Sequence, residues 1–401
     1  MRVKRLRLTN FRGFESLELD LDRSLTVLVG VNGSGKTSVL RAICAAAVQL
    51  QGTLGHATTH ELPLDSRDVW VGAGSSEVLC SLRHLAWDFE VRLQGVDREG
   101  LWTATSSKVQ SVDAMMAVAR SFVFLVSTER QFQSASVNTS DVQGNDDIGA
   151  VPRAAGYGRF LAWFKEREDA ENARRVARED LSLQDPQLRA VREAVAEVMP
   201  GFEKLRIERD LPHPAMVVTK SGVELRLDQL SDGERNLIAL AGDLARRMVI
   251  ANPSSDAPRE AEGLILIDEV EQHMHPAWQR RVIPALQRAF PKAQLVVTTH
   301  SPQVLSSVAA SSIVRLDGAS AHAITSATAG RDTNAILREV FGVPERPQPD
   351  IERVRAVRSL IDEGRLDEAR GELDALAAAL SEVDDEVVAL RMRMLVAEAA
   401  A

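Results

Sequence analysis

The sequence predicts an α/β protein: a mixed sheet with an antiparallel β subdomain, a helical lid and a helical tail. Three observations predict it. Strand-like and helix-like runs alternate as far as residue 325. A glycine-rich stretch, "GVNGSGKTSVL" (Gly30 to Leu40), joins an apolar run to a helical one. From residue 332 onward, apolar residues recur only at helical spacing.

The elements follow in order. "RVKRLRLTNF" and "SLELDLD" alternate polar and apolar residues, as half-buried strands do. "SLTVLVG" is a continuous apolar run ending in glycine, a buried strand that feeds a turn. Ser34 to Gln49 is rich in Ala, Leu and Val and predicts a helix. Residues 77–106 predict antiparallel strands, and "SFVFLV" (121–126) another buried strand. Residues 134–157, rich in Ser, Asn, Asp and Gly, predict a mobile loop. A charged helical stretch, about 158–200, predicts the lid. Strands are expected at 204–209, 215–219 and 223–227, then a helix at 233–250. "GLILIDE" is the most apolar strand; a helix at 277–290, a strand at 294–299 and two short strands within 312–325 complete the sheet. The break "VPERPQPD", Val343 to Asp350, divides the chain into a head, 1–342, and a helical tail, 343–401, read as a helix pair. No repeat or sustained heptad is present, which excludes a long coiled-coil arm.

A net charge of -9 excludes a bulk polycation, so any contact with DNA or RNA needs a local basic groove. In β geometry Arg5 and Arg7 share one face and Lys4 the other; they suit such a groove or a solvated edge strand. The single tyrosine, Tyr157, and few other aromatic residues argue against a base-stacking platform. Cys44 and Cys80 lack metal-ligand spacing and read as reduced thiols of a cytoplasmic protein. The first residues carry charges but no apolar segment of a signal peptide, and no run reaches the roughly 18 to 20 apolar residues that span a bilayer.

Gly30-x4-Gly35-Lys36-Thr37, with a strand before it and a helix after it, is a P-loop pattern. Asn32, Gly33, Ser34, Gly35 and Ser38 complete the phosphate cradle, with main-chain N–H groups turned inward. Lys36 is expected to bridge β- and γ-phosphates, and Thr37 to ligate Mg²⁺. "LILIDE" ends in Asp268, the second Mg²⁺ residue, and Glu269, the base for the attacking water. In "LDQLSDGERNLIAL", Ser231, Gly233 and Glu234 stand at a helix start, an anion site that equally fits a plain capping box. A second such site suggests nucleotides sandwiched between two subunits. In "TTHSP", His300 follows an apolar strand, where it can reach the γ-phosphate and the attacking water.

The order of P-loop, "LSDGE", "LILIDE" and "TTHSP" resembles the ABC-type ATPase head of the SMC and RecF class, across roughly residues 1–325. The opening "LRLTNFRGFESLELDL" resembles the start of that class; Asn10 and Arg12 match, and Arg12 is expected at a phosphate or base. "LIDEVEQHMHPAWQ" and "FLAWFKEREDAEN" resemble segments of RecF-like and OLD-like bacterial ATPases. The ending "GRDTNAILREVFGVPERP" onward resembles the tail of ATPases found with retrons and in Septu-type antiphage defence. The resemblance implies ATP and Mg²⁺ as cofactors, ATP hydrolysis, a homodimer or higher homo-oligomer, and a separate HNH-type nuclease as effector. It also implies that "EQHMHP" crosses the dimer interface, with His275 and Pro276 opening the next helix; His273 and His275 alone make a weak metal signal.

This chain departs from the pattern in three places. "LSDGE" carries Asp232 where the class signature has glycine, so Asp232 is expected to point away from phosphate. No glutamine loop is evident; Arg130, or Gln131 or Gln133, is its candidate equivalent. No aromatic residue precedes the P-loop to stack on adenine. The stretch after His300 lacks acids at metal-binding spacing on strands, so no nuclease activity of its own is expected. The alternative reading is a RecF-like repair or replication ATPase that clamps DNA.

Overall fold

The computed structural model describes residues 1–53, 64–84, 87–96, 102–106, 122–126, 156–210, 214–318 and 320–400. Arg130 and the loop expected before residue 156 lie outside them. The chain divides into two compact units, Met1–Ile336 and Leu337–Ala401.

Among the described residues the first unit holds three sheets. β1 (Arg2–Phe11), β2 (Phe14–Asp20), β4 (Ser75–His84), β5 (Trp87–Val96) and β6 (Trp102–Ser106) form an antiparallel sheet in the order β2-β1-β4-β5-β6. β3 (Leu25–Val29), β7 (Phe122–Val126), β11 (Gly263–Ile267), β12 (Ala293–Thr298), β13 (Ile313–Asp317) and β14 (Ser320–Ala323) form the central sheet, ordered β14-β13-β3-β12-β11-β7. It is parallel except for β14, which makes the sheet mixed. Every residue of β3, β11 and β12 is buried, as predominantly apolar strands covered on both faces require.

α1 (Lys36–Thr53) packs against strands of both sheets. Ala42 to Val48 are all buried, so its small apolar residues let the two layers approach. Gln294, fully buried on β12, stitches the layers from within. Its Oε1 accepts from the Val3 amide (2.6 Å), and its Nε2 donates to the carbonyls of Val3 (3.0 Å), Leu21 (2.7 Å) and Arg23 (3.0 Å). β1 lies between β2 and β4, which overturns the edge-strand reading. Arg5 and Arg7 are exposed, but both pair with Glu18 (3.6 and 3.1 Å), so the local field is weak.

β8 (Phe202–Glu208), β9 (Ala215–Lys220) and β10 (Val223–Arg226) form a third, antiparallel sheet beside the helices α2 (Gly156–Ala177) and α3 (Pro186–Val198). Buried Glu168 and Glu171 are met by Arg192 (2.9 and 3.2 Å), and Glu168 also by Arg209 (2.9 Å). Buried carboxylates need such partners to remain charged. α4 (Asp232–Ala251) and α5 (Pro276–Ala289) complete the unit.

Among the described residues the second unit opens with a π-helical turn (Leu337–Phe341) and then holds three α-helices, α6 (Gln348–Asp362), α7 (Leu366–Leu380) and α8 (Asp385–Ala400), where a pair was expected. The chain breaks at Asp384, which caps the Glu386 amide (3.0 Å) and receives Arg346 (3.0 Å), so α8 starts afresh. Val387 and Leu390 then join Val357, Ile361, Leu373 and Leu376 in a small core. Among the described residues, no helix is long and apolar enough to cross a membrane. Cys44 and Cys80 are free and buried; burial pushes both thiols up to about 12.

Candidate nucleotide site

The P-loop runs from the end of β3 into α1. Gly33 and Gly35 take φ values of 82° and 90°, left-handed geometry that suits glycine. A Cβ on Gly35 would enter the ring of Phe14, which is buried beneath the loop. The "NFRGF" hairpin therefore buttresses the cradle. Val31, Asn32 and Gly33 form its exposed tip, while Ser34 and Ser38 are buried. The Lys36 ammonium is buried and donates to the carbonyls of Gly30 and Val31, both at 3.0 Å, with Ser34 Oγ at 3.5 Å. Burial draws its pKa down; Asp268, Glu269 and Glu271 oppose that. Lys36 thus rests on weak carbonyl partners, which an anionic phosphate would outcompete.

Asp268 and Glu269 follow directly on β11. The Thr37 hydroxyl donates to Asp268 Oδ2 at 2.8 Å, although the two residues are 231 positions apart in sequence. A hydroxyl and a carboxylate at this spacing form the hard-oxygen pair that Mg²⁺ favours. Thr298, at the end of β12, donates from Oγ1 to Asp268 Oδ1 (2.6 Å) and accepts there from the Glu269 amide (2.7 Å). Glu269 sits at φ 45°, left-handed backbone that is strained for a non-glycine residue and marks the turn directly after β11. Three strand ends, β3, β11 and β12, therefore converge on one polar cluster, at the carboxyl edge where open α/β sheets bind ligands.

His300 lies two residues beyond Thr298. Its main-chain N–H donates to Glu271 Oε1 at 2.6 Å. Burial, assisted by the Lys36 ammonium, holds its imidazole pKa below the usual value, so the ring is neutral at pH 7. Ser301 donates to Gln279 Oε1 (2.6 Å), and Gln279 donates to the Met274 carbonyl (2.9 Å). The turn 269–274 is thereby fastened to the end of β12.

α4 begins with a complete capping box. Ser231 Oγ accepts from the Glu234 amide (3.4 Å), and Glu234 accepts from the Ser231 amide (3.2 Å) and from Lys220 (2.7 Å). Asp232 is exposed and pairs with Arg235, away from the helix axis. Gly233 is packed so tightly that a Cβ would lie 2.6 Å from the His273 carbonyl oxygen. The signature helix thus leans on the turn that follows Glu269. His275 is the N-cap of α5, with Pro276 at its first position.

Lys36, Thr37, Asp268, Glu269 and His300 come together from separate parts of the chain. Ser231, Gly233 and Glu234 stand at the α4 start, and Arg130 lies outside the described residues. Arg12 is held at φ 51° by buried Asp68: its Nε pairs with the Asp68 carboxylate, and its amide donates to the Asp68 carbonyl (2.9 Å). Thr298 and Glu271 went unremarked in the sequence reading. A threonine ending a buried strand beside the acid pair, and a glutamate two residues after Glu269, are the signals that could have found them.

A family model described as "AAA domain, putative AbiEii toxin, Type IV TA system" matches residues 149–306, and one described as "AAA ATPase domain" matches residues 1–46. The chain is 25% identical over 426 aligned residues to the retron Ec83 probable ATPase of Escherichia coli, covering 87% of this chain and 78% of that protein. It is 24% identical over 376 residues to the Septu protein PtuA of Bacillus thuringiensis, covering 90% and 89% respectively. The solved Smc head bound to the C-winged helix domain of ScpA matches with a TM-score of 0.49 at 16% identity, over 82% of this chain and 98% of that one. The chain is thus similar to AAA-type ATPase domains at both its start and its middle, and to bacterial ATPases over most of its length. Its homologues include the probable ATPases of retrons Ec83 and Vc95 and the PtuA proteins of Septu systems.

Proposed function

We propose that the chain binds ATP with Mg²⁺, closes into a dimer or higher homo-oligomer around it, and hydrolyses it. The observation that carries this reading is the chain of contacts Thr37–Asp268–Thr298–Glu269, which assembles hydroxyl, carboxylate and base at the foot of the P-loop. Thr37 and Asp268 would hold Mg²⁺, which supplies charge neutralisation at the phosphates. Lys36 leaves its carbonyls to bridge the phosphates. Asn32, Gly33, Ser34, Gly35 and Ser38 line the cradle. Glu269 takes a proton from water as the water oxygen bonds to the γ-phosphorus and ADP leaves. Neutral His300 hydrogen-bonds at the same centre. Ser231 and Gly233, on α4, serve the nucleotide of the opposite subunit; Glu234 keeps their loop in place.

The homology to retron and Septu ATPases supports a place in antiphage defence. In this reading the ATP cycle controls a separate effector, an HNH-type nuclease, and the chain alone cuts no DNA. The helical unit Leu337–Ala401 carries none of the nucleotide motifs and serves assembly.

Glu269→Gln tests the reading. It keeps side-chain shape but removes the base, so hydrolysis should fall about 10²- to 10⁴-fold. ATP should remain bound, and light scattering should show an ATP-dependent assembly, which an HNH-type effector should join. Wild-type hydrolysis by the variant would defeat the assignment. An ATP-closed protein that retains DNA without an effector would favour the DNA-clamp alternative.

A further inference from the structure

The turn after β11 carries a third carboxylate, Glu271, which the reading above leaves without a role. Its Oε1 accepts the His300 amide at 2.6 Å, across 29 positions of sequence. Its Oε2 is buried and has no hydrogen-bond partner among the described residues. A buried acceptor left unpaired is unfavourable, because it loses its contacts with water and gains none in return. The contact to His300 is thus kept at a cost that a neutral, smaller residue would avoid. The turn itself is tight: Glu269 and His273 have φ values of 45° and 61°, and the amides of Gln272 and Met274 fold back on the carbonyls of Glu269 and Glu271, both at 3.0 Å. Moving Glu271 therefore moves Glu269. At the other end, the His300 amide lies just past the last ladder position of β12, where no strand partner fixes it.

We propose that Glu271 is a positioning residue for hydrolysis, tying the His300 main chain to the acid turn so that imidazole and Glu269 face the reacting phosphate in fixed relation. The inference rests on the ATP-hydrolysing reading of this site. Two further contacts fit it. The Val270 amide donates to the Thr298 carbonyl (3.0 Å), so the turn and the end of β12 are joined on both sides of Glu269. The Glu271 charge also acts on both Lys36 and His300, opposing the burial that draws their pKa values down. The Gly233 contact to the His273 carbonyl lies on the same turn, so a shift of Glu271 would reach the signature helix as well.

The test compares Glu271→Ala, Glu271→Gln and Glu271→Asp in the full chain, measuring kcat, ATP affinity and thermal unfolding, with Glu269→Gln as control. Gln keeps an acceptor at the Oε1 position; Asp withdraws it by one methylene; Ala removes it. Alanine should lower kcat at least about tenfold while ATP affinity stays within about threefold, and glutamine should restore kcat to within about threefold. Aspartate should behave like alanine, and it carries the test should alanine not fold. Wild-type kcat in both Ala and Asp variants would overturn the inference. So would equal losses of kcat and affinity in all three, the mark of a merely structural tie. If Glu269→Gln itself hydrolyses ATP at the wild-type rate, the reading beneath the inference fails first, and that outcome is distinct from a silent Glu271 beside an inactive Glu269→Gln.

Discussion

Two helix N-termini in this protein carry the same dipole and treat it in opposite ways. α1 opens from a glycine loop, has no acidic residue in its first turn, and leaves its amides facing a cradle. α4 opens from Ser231 with Asp232 and Glu234 in its first turn, and its own carboxylate closes the box. Both arrangements satisfy the positive helix end. The first leaves the work to a ligand; the second does most of it internally. A helix start that is already capped can hold its shape without nucleotide and offer only what remains, the Ser231 hydroxyl proton and the Gly233 backbone. That difference suits one end to gripping a nucleotide within the subunit and the other to meeting one presented from outside.

The comparison breaks most sharply at α1. Lys36→Ala removes the cation that now rests on Gly30 and Val31, and ATP affinity measured by calorimetry should fall about 10- to 100-fold, with hydrolysis lost. Unchanged affinity would mean that the loop is not the phosphate cradle. At α4 a smaller effect of another kind is expected. Gly233→Ala places a Cβ against the His273 carbonyl, and the strain should lower stability by about 1 to 3 kcal/mol and slow hydrolysis, with ATP affinity retained. A variant with wild-type turnover would show that the signature helix and the acid turn do not act together.

The smallest effect should come from the cap itself. Glu234→Ala should cost about 1 kcal/mol at neutral pH by thermal or chemical unfolding. Burial pushes the Glu234 carboxyl up, but Lys220 and the Ser231 hydrogen bonds outweigh it and hold the pKa below the ordinary value. A depressed carboxylate contributes its full stability above the unfolded value and loses it as pH falls through the folded one. The gap between wild type and variant should therefore close in acid. A gap that stays constant with pH would assign the cap's worth to geometry rather than charge.

The strands of the head were legible where the pattern is plain: β1 alternates, β11 is an unbroken apolar run, and β3 and β12 are apolar but for Thr26, Gln294 and Thr298. The P-loop and the acid pair were legible because their chemistry needs particular residues at fixed spacing. Glu271 and Thr298 were not, since each acts through a contact across 29 or 30 positions that no local pattern encodes. The edge-strand alternative for β1 failed because exposed charges on a face do not report what lies beside a strand, and β1 lies between β2 and β4. The third tail helix escaped because "LSEVDDE" reads as a continuous charged helix until Asp384 is seen turning back as a cap.

Gln294 has a consequence for how the molecule comes apart. One side chain on the central sheet answers an amide and three carbonyls from the first 23 residues of the chain. If either layer loosened alone, the contacts of Gln294 to the Val3 amide and to the three carbonyls would be lost together, leaving the Leu21 carbonyl only its bond from the Arg23 amide (2.7 Å). Local opening is thus denied its usual small first step: the antiparallel sheet and the central sheet are joined by one buried side chain, and the glycine loop after β3 shares the rigidity of both.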